Sequence, residues 1–172
     1  FSIYKKTGKV AELQSILPDK LHGNVGIAHT RWATHGAVTD PNAHPHLSEN
    51  GKVVIVHNGI IENSRTLRTL LKKKGVVFNS ETDSEVITHI LEYELNRDNS
   101  PADALRRTLS KLVGTWGLCA IFLEHDVMMC ARNGSPLIIG QGDGEIFVSS
   151  EPHALYPVSY THLTLPTKNE VE

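Results

Sequence analysis

The chain has 172 residues, of which 40% are apolar and 21% charged, and 17 basic and 19 acidic side chains give it a net charge of −2. This length and apolar content predict a single domain with one substantial core, and the nearly balanced charge argues against a nucleic-acid-binding protein. Because the sequence has neither an apolar run of about 20 residues nor a signal peptide, we predict a cytoplasmic protein without a membrane contact.

The first part of the chain contains short apolar runs that end in polar residues. Apolar spacing predicts half of a hairpin at 1–4, a short helix at 10–16, and buried strands at 25–28 and 53–56. Both strands are followed at once by polar residues, HTRW after the first and HNG after the second, a pattern typical of strands that deliver a site. The segment between them is too polar for a core, and we interpret it as a functional loop.

The second part of the chain changes from helical to extended periodicity. Helices are predicted at 64–74, from a capping box at Thr82 and Glu85 to about Leu95, and from Pro101 to Gly114. Strands are predicted at 76–78, 115–123, 127–131, 137–139 and 146–149, the last four as two hairpins. The glycines in the second hairpin superficially resemble a dinucleotide-binding loop, but no helix follows them, which favours a hairpin turn.

The polar residues at the predicted strand ends suit a small substrate that carries a negative and a positive charge. Arg31 has the planar, forked guanidinium that binds a carboxylate through two hydrogen bonds. Asp83, predicted to be exposed at a helix start, would complement an ammonium group. Asn58 and Gly59 offer a side-chain amide and an accessible backbone N–H, the donors from which oxyanion holes are built. Each residue alone could be an ordinary surface, turn or capping residue, but their co-occurrence predicts acyl transfer on a free amino acid.

Four motifs in this sequence resemble those of one known family. They are HTRWATHG at 29–36, NAHPH at 42–46, HNGIIEN at 57–63 and SETDSEVI at 80–87. With weaker matches further along the chain, they resemble the glutaminase domain of glutamine–fructose-6-phosphate amidotransferases, a branch of the class II glutamine amidotransferases. Another class II amidotransferase is the alternative. The resemblance predicts one glutaminase domain at 1–157, whereas residues 158–172 lack its pattern and are predicted to be a non-native tail.

The resemblance implies a fold and a reaction. The fold is the α+β N-terminal-nucleophile hydrolase fold, a four-layer αββα sandwich of antiparallel sheets. The reaction is hydrolysis of L-glutamine to glutamate and ammonia, and the full enzyme passes the ammonia to fructose 6-phosphate to make glucosamine 6-phosphate. No cofactor is implied. The sugar-isomerase domains that bind fructose 6-phosphate are missing from this sequence, and we expect the full-length enzyme to be a homo-oligomer.

The resemblance also implies roles for residues of this sequence. The oxyanion hole is formed by Asn58 and Gly59, and glutamine is bound by Arg31, Trp32, Thr34, His35 and Asp83. The family's nucleophile is an N-terminal cysteine, whereas residue 1 here is Phe. Neither Cys119 nor Cys130 can replace it, because both fit small buried thiols in strands better than a nucleophile or a disulfide. We therefore expect a fragment, truncated on both sides, that does not itself hydrolyse glutamine.

Two interpretations from other classes stand beside this one. The first is a zinc hydrolase or metal-binding module, because imidazole is a common zinc ligand and histidines are concentrated in this region, namely His29, His35, His44, His46 and His57. Their spacing fits no closed structural site, so no metal is expected. The second is a catalytically inactive relative that only binds glutamine or a partner protein.

Overall fold

The structure, a computed structural model, describes residues 2–32 and 36–158 and the backbone of Thr161–Thr164. In chain order the helices are α1 (Val10–Gln14), α2 (Ser64–Lys73), α3 (Glu85–Asp98) and α4 (Pro101–Leu109). The strands are β1 (His46–Leu47), β2 (Val53–Ile61), β3 (Gly114–Phe122), β4 (Val127–Asn133), β5 (Ile138–Gln141), β6 (Ile146–Ser149) and β7 (Thr161–Thr164). No described helix combines the length and the apolar character needed to cross a membrane.

The strands form two antiparallel sheets. The larger sheet has the order β1-β2-β3-β4 and the smaller sheet the order β6-β5-β7. The longest pairing joins β2 and β3, from Val53 opposite Phe122 to Ile61 opposite Gly114. β7, which falls in the predicted tail, pairs with β5; the domain boundary and the non-native origin of that tail stay predictions.

The main core lies between the larger sheet and the helices. Ile55 of β2 and Leu118 of β3 are fully buried, and they belong to the same cluster as Ile87 and Leu91 of α3. Burying one such side chain completely is worth about 1.5–3 kcal/mol. This cluster therefore fixes β2, the strand that carries the predicted oxyanion donors, against the helical layer.

A second, smaller cluster lies on the opposite face of the larger sheet. Val56 of β2 and Cys119 of β3 pack there with Leu137, which precedes β5, and with Val148 of β6. The two sheets therefore face each other, and the described layers follow the order helix, sheet, sheet. This arrangement confirms the predicted α+β architecture built from antiparallel sheets.

Most elements with strong local sequence signals are confirmed. The confirmed helices are those predicted at 10–16, at 64–74, after Thr82 and after Pro101. Both hairpins of the second half are also confirmed. The glycines of the second hairpin form a hairpin turn, as predicted, and not a dinucleotide-binding loop. α3 continues past its predicted end at Leu95 to Asp98, whereas α4 ends at Leu109, before its predicted end at Gly114. Only half of the capping box forms: Thr82 Oγ1 accepts the Glu85 N–H at 3.3 Å, whereas the Glu85 carboxylate accepts other backbone N–H groups.

The strands predicted at 25–28 and 76–78 are wrong, because neither segment pairs with a neighbouring strand. The half-hairpin predicted at the chain start is also not a strand at 2–4, and Phe1 lies outside the described residues. Val77 is 63% exposed. Val76 and Phe78 pack against the main core, but an apolar run without a hydrogen-bonded neighbour has no partner to stabilise it as a strand.

β2 is longer than the strand predicted at 53–56. It does not end at Val56 but continues through the polar residues to Ile61. Every residue of this continuation has a partner in β3, from Leu118 opposite His57 to Gly114 opposite Ile61. The predicted site residues of this segment therefore lie within a strand rather than after its end.

Candidate active site

His57 lies within β2 and is buried. Its Nδ1 is 2.8 Å from Ser84 Oγ, and its Nε2 is 3.4 Å from the carbonyl oxygen of Thr115. A carbonyl can only accept, so Nε2 carries the proton and Nδ1 accepts from the Ser84 hydroxyl. Burial lowers the pKa of His57, while Asp83 acts in the opposite direction. These bonds join β2 to the segment before α3 and explain how the strand accommodates a buried imidazole.

Asn58 and Gly59, the predicted oxyanion donors, follow His57 in β2. Alternation along the strand places Asn58 on the face opposite to His57, where it is exposed. Gly59 has a φ of +144°, and a Cβ at this position would lie 2.2 Å from the carbonyl oxygen of Thr115. Only glycine tolerates both this conformation and this close approach of β3. The strand therefore presents an accessible amide on a backbone that β3 holds in place.

Asp83 is buried, with 6% of its surface exposed, so the prediction of an exposed residue at a helix start is wrong. It lies just before α3, and its Oδ2 accepts the backbone N–H of Ile61 at 2.8 Å. This hydrogen bond offsets the loss of water around the carboxylate and so permits its burial. Since Ile61 is the last residue of β2, this bond ties the carboxylate to the strand that carries Asn58 and Gly59.

Arg31 directs its guanidinium at the loop that follows it. Nη1 donates to the carbonyl oxygen of Ala37 at 3.0 Å, and Nη2 donates to that of Gly36 at 3.2 Å. The side chain therefore shapes the loop through backbone contacts that the sequence did not predict. A guanidinium has five N–H donors, so these two bonds are compatible with binding a carboxylate, and that role stays a prediction.

The loop that Arg31 holds is attached to the segment before Asp83. Glu81 Oε2 accepts the Ala37 N–H at 3.2 Å and the Asn42 side-chain amide at 3.1 Å. In return, Asn42 Oδ1 accepts the Glu81 N–H at 2.8 Å. The bonds from Ala37 and Asn42 lower the pKa of the Glu81 carboxyl. Asn42 and Glu81 were not predicted as positioning residues, although both lie inside the motifs that carry the family resemblance.

The remaining predicted glutamine contacts are described only in part. Trp32 is 88% exposed, and Thr34 and His35 lie outside the described residues. A cavity of about 170 Å³ near the chain start is lined by none of the predicted site residues. The structure thus bonds Asp83 to the strand that carries the two predicted oxyanion donors, and it bonds the loop held by Arg31 to the segment before Asp83.

The histidines of the segment predicted to be too polar for a core are packed together instead. The ring centroids of His29 and His44 are 4.2 Å apart, and those of His44 and His46 are 4.7 Å apart. Burial lowers the pKa of His29 to about 4 and that of His46 to about 3. Uncharged imidazoles avoid the much larger cost of burying a charge, although His29 Nδ1 and His44 Nδ1 are buried without a hydrogen-bond partner in the part of the chain that the structure describes. Among the described residues, no group of three or more His, Cys, Asp or Glu side chains could hold a metal ion.

Two facing antiparallel sheets, a helical layer and an Asn-Gly pair on a central strand are the features of an N-terminal-nucleophile amidotransferase domain. Solved structures agree with this class. The chain is similar to glutamine phosphoribosylpyrophosphate amidotransferase from B. subtilis, with a TM-score of 0.65 and 24% identity over 81% of this chain and 30% of that chain. It is also similar to an allosteric regulatory enzyme of purine biosynthesis, with a TM-score of 0.66 and 25% identity over the same shares of the two chains.

The sequence comparison gives the family. The sequence profile of the family described as glutamine amidotransferase domain matches residues 29–157, so the chain belongs to this family. It is 48% identical over 157 residues to the glutamine–fructose-6-phosphate aminotransferase (isomerizing) of Salmonella typhi, and 49% identical to that of Shewanella oneidensis. Each alignment covers 90% of this chain and 26% of the relative, so the chain spans about a quarter of the length of these proteins. The resemblance seen in the four motifs is confirmed.

Proposed function

We propose that this chain is the glutaminase part of an enzyme that hydrolyses L-glutamine and passes the ammonia to fructose 6-phosphate, forming glucosamine 6-phosphate. The hydrogen bond from the Ile61 N–H to Asp83 carries this proposal, because it ties a buried carboxylate to the strand that carries Asn58 and Gly59. The names of the relatives at 48% and 49% identity support the choice of acceptor. We also assign the complete gene product to the cytoplasm, as a homo-oligomer that binds no nucleic acid.

L-Glutamine carries a carboxylate, an ammonium group and a side-chain amide, and the site offers a complement to each. The Arg31 fork binds the carboxylate, beside the loop carbonyls that already orient it. The buried Asp83 carboxylate attracts the ammonium group with little screening by water. Thr34 and His35 add polar contacts, and the exposed Trp32 closes over the bound amino acid. The side-chain amide then points towards the oxyanion donors.

Hydrolysis proceeds by nucleophilic attack on the side-chain amide carbon of glutamine. A thiolate adds to this carbon, and negative charge develops on the amide oxygen, where the Asn58 side chain and the Gly59 N–H donate hydrogen bonds. The amide nitrogen takes up the proton that the thiol gave up and leaves as ammonia, and water hydrolyses the resulting thioester to glutamate and the free thiol. The family resemblance supports an N-terminal cysteine as the nucleophile. Residue 1 of this sequence is Phe, so this step is proposed for the complete gene product.

The test is the glutamine dependence of glutamate release by the complete gene product, for the wild type and for Asp83→Asn. Asparagine keeps an oxygen that accepts the Ile61 N–H but lacks the negative charge. Loss of a hydrogen bond to a charged group should therefore raise KM for glutamine about 10- to 100-fold while the fold is retained.

Glu81→Gln is the matched control, because it neutralises a neighbouring carboxylate that bonds the loop and is not assigned to the ammonium group. A glutamine side chain keeps an oxygen that can accept the bonds from Ala37 and Asn42, so KM should stay close to the wild-type value. Equal KM values for the two folded variants would remove Asp83 from the ammonium site. A wild-type gene product that releases no glutamate from glutamine would refute the proposed function as a whole.

A further inference from the structure

Two cysteines that the proposed reaction does not use face each other inside the larger sheet. Cys119 of β3 and Cys130 of β4 are directly opposite in register, and the Cys130 S–H donates to Cys119 Sγ at 3.3 Å. Both are free thiols. Cys119 is 7% exposed, whereas Cys130 is half-buried, so Cys130 is the more exposed residue of the pair.

The strand geometry allows a disulfide between them without movement of the backbone. Directly opposed residues of an antiparallel pair have Cα atoms about 4.5 or 5.5 Å apart, according to their place in the hydrogen-bond ladder. Disulfides span Cα separations of about 4.4–6.8 Å, so both cases fit. The two sulfurs have only to approach from 3.3 Å to about 2.05 Å. Rotation of the two side chains is sufficient for this.

The surroundings also distinguish the two thiols. Exchange with a disulfide starts from a thiolate. When Cys130 loses its proton, the Cys119 S–H can donate to the resulting thiolate, and this bond lowers the pKa of the Cys130 thiol. The same bond, together with burial, raises the pKa of the Cys119 thiol. The more accessible residue is therefore the attacking thiol, and the buried residue is the resolving thiol.

We propose that Cys119 and Cys130 form a dithiol site that a low-molecular-weight disulfide, such as oxidised glutathione, converts into an intramolecular disulfide. The Cys130 thiolate attacks one sulfur of glutathione disulfide, forms a mixed disulfide and releases one glutathione thiolate. Cys119 then gives up its proton, attacks the Cys130 sulfur and releases the second glutathione thiolate. Two S–H bonds are replaced by one S–S bond, and the two electrons reduce one glutathione disulfide to two glutathione molecules.

The site lies close to the proposed oxyanion hole but uses none of its residues. Cys119 pairs with Val56 of β2, and Gly117 pairs with Asn58. Because side chains alternate along β2, Val56 and Asn58 share a face. The cysteine pair therefore lies on that face, level with the residue two positions before Asn58. The disulfide therefore ties β4 to β3, the strand that pairs with β2 in the same sheet.

The test uses the 172-residue chain, fully reduced, incubated with oxidised glutathione, quenched with acid and analysed by mass spectrometry. We expect a monomeric product that has lost two hydrogens relative to the reduced chain. After proteolysis, the peptides that contain Cys119 and Cys130 should be linked to each other, and dithiothreitol should reverse the change. Retention of both thiols, shown by alkylation of both cysteines after unfolding, would overturn the proposal. Accumulation of the mixed disulfide alone would overturn it as well.

Two variants separate the roles of the sulfurs. Cys119→Val removes the resolving thiol, so a stable mixed disulfide with glutathione should accumulate on Cys130. Cys130→Ser leaves only the buried Cys119, which should react with oxidised glutathione at least about tenfold more slowly than Cys130 does. Equal rates in the two folded variants would contradict the assigned order of attack. The wild-type experiment decides the existence of the site even where a variant does not fold.

Discussion

The substitution Asn58→Ala in the complete gene product tests the proposed oxyanion hole. If the side-chain amide donates to charge that exists only in the tetrahedral intermediate, its loss should lower kcat for glutamine hydrolysis by about 10²–10³, or about 3–4 kcal/mol of transition-state stabilisation. KM should change much less. The reason is that, in the proposed binding mode, Arg31 and Asp83 hold the two ends of glutamine in the ground state and the transition state alike.

The structure predicts that this substitution leaves the fold intact. Asn58 is exposed on β2, and its backbone pairs with Gly117 of β3 whichever side chain it carries. Exposed substitutions of this kind usually change the free energy of unfolding by about 0.5 kcal/mol or less. A fall in kcat would therefore report on the chemistry and not on the fraction of folded protein.

Asn63→Ala is the matched control, because it removes the same type of side chain just beyond the end of the same strand. Asn63 donates to the carbonyl oxygen of Lys111 at 2.8 Å and accepts the Val113 N–H at 3.1 Å. Loss of these two hydrogen bonds should lower the free energy of unfolding by about 1–3 kcal/mol. It should leave kcat per folded molecule unchanged.

Steady-state glutamate release and urea-induced unfolding, measured on the same preparations, give kcat, KM and stability for both variants. The oxyanion role of Asn58 is refuted if Asn58→Ala is stable and keeps a near-normal kcat. It is also refuted if Asn63→Ala loses kcat as strongly, because the loss would then follow from a general disturbance of the end of β2.

Arg31→Lys replaces a fork with a point charge, so KM for glutamine should rise about tenfold with little change in kcat, and an unchanged KM would remove Arg31 from the carboxylate role. Stability should decrease in mild acid, because burial lowers the pKa of His29 to about 4 and that of His46 to about 3, below the value of about 6.5 for histidine in the unfolded chain. Between these values the unfolded state binds more protons, so the free energy of unfolding should fall by about 1.4 kcal/mol per pH unit below 6.5 for the buried His46 alone. Equal urea midpoints at pH 7 and pH 5 would contradict this. Gly59→Ala should destabilise the protein by about 3 kcal/mol or more, since its Cβ would lie 2.2 Å from the Thr115 carbonyl oxygen; an unchanged melting temperature would show that β2 and β3 can separate there.

The helices and hairpins of this chain could be predicted from the sequence because local signals define them. Pro101 occupies the first turn of α4, and Ser100 Oγ accepts the Asp103 N–H at 3.3 Å. Both signals lie within a few residues of each other. The strand predicted at 25–28 is wrong for the opposite reason. A strand exists only where a second strand bonds to it, and an apolar run does not reveal whether that partner is present.

The residue types of the site could be predicted from the motifs, but their burial could not. Sequence reasoning equates polarity with exposure, whereas Asp83 and Asn42 are 6% and 3% exposed. Each has a partner that compensates for the loss of water, the Ile61 N–H for Asp83 and the Glu81 N–H for Asn42. These partners are separated along the chain by about 20 to 40 residues. Only the folded chain shows that they meet.

The continuation of β2 beyond His57 has a chemical consequence for the proposed oxyanion hole. A hydrogen-bond donor lowers a reaction barrier most when it is already oriented before the charge develops. In a loop after a strand end, Asn58 could change its direction. Within a strand, its backbone is held by β3 on one side, and the bond from Ile61 to Asp83 keeps the following residues in place. The polar residues therefore interrupt the apolar alternation of β2 but not its hydrogen-bonded ladder, which holds the backbone of the proposed donor in place.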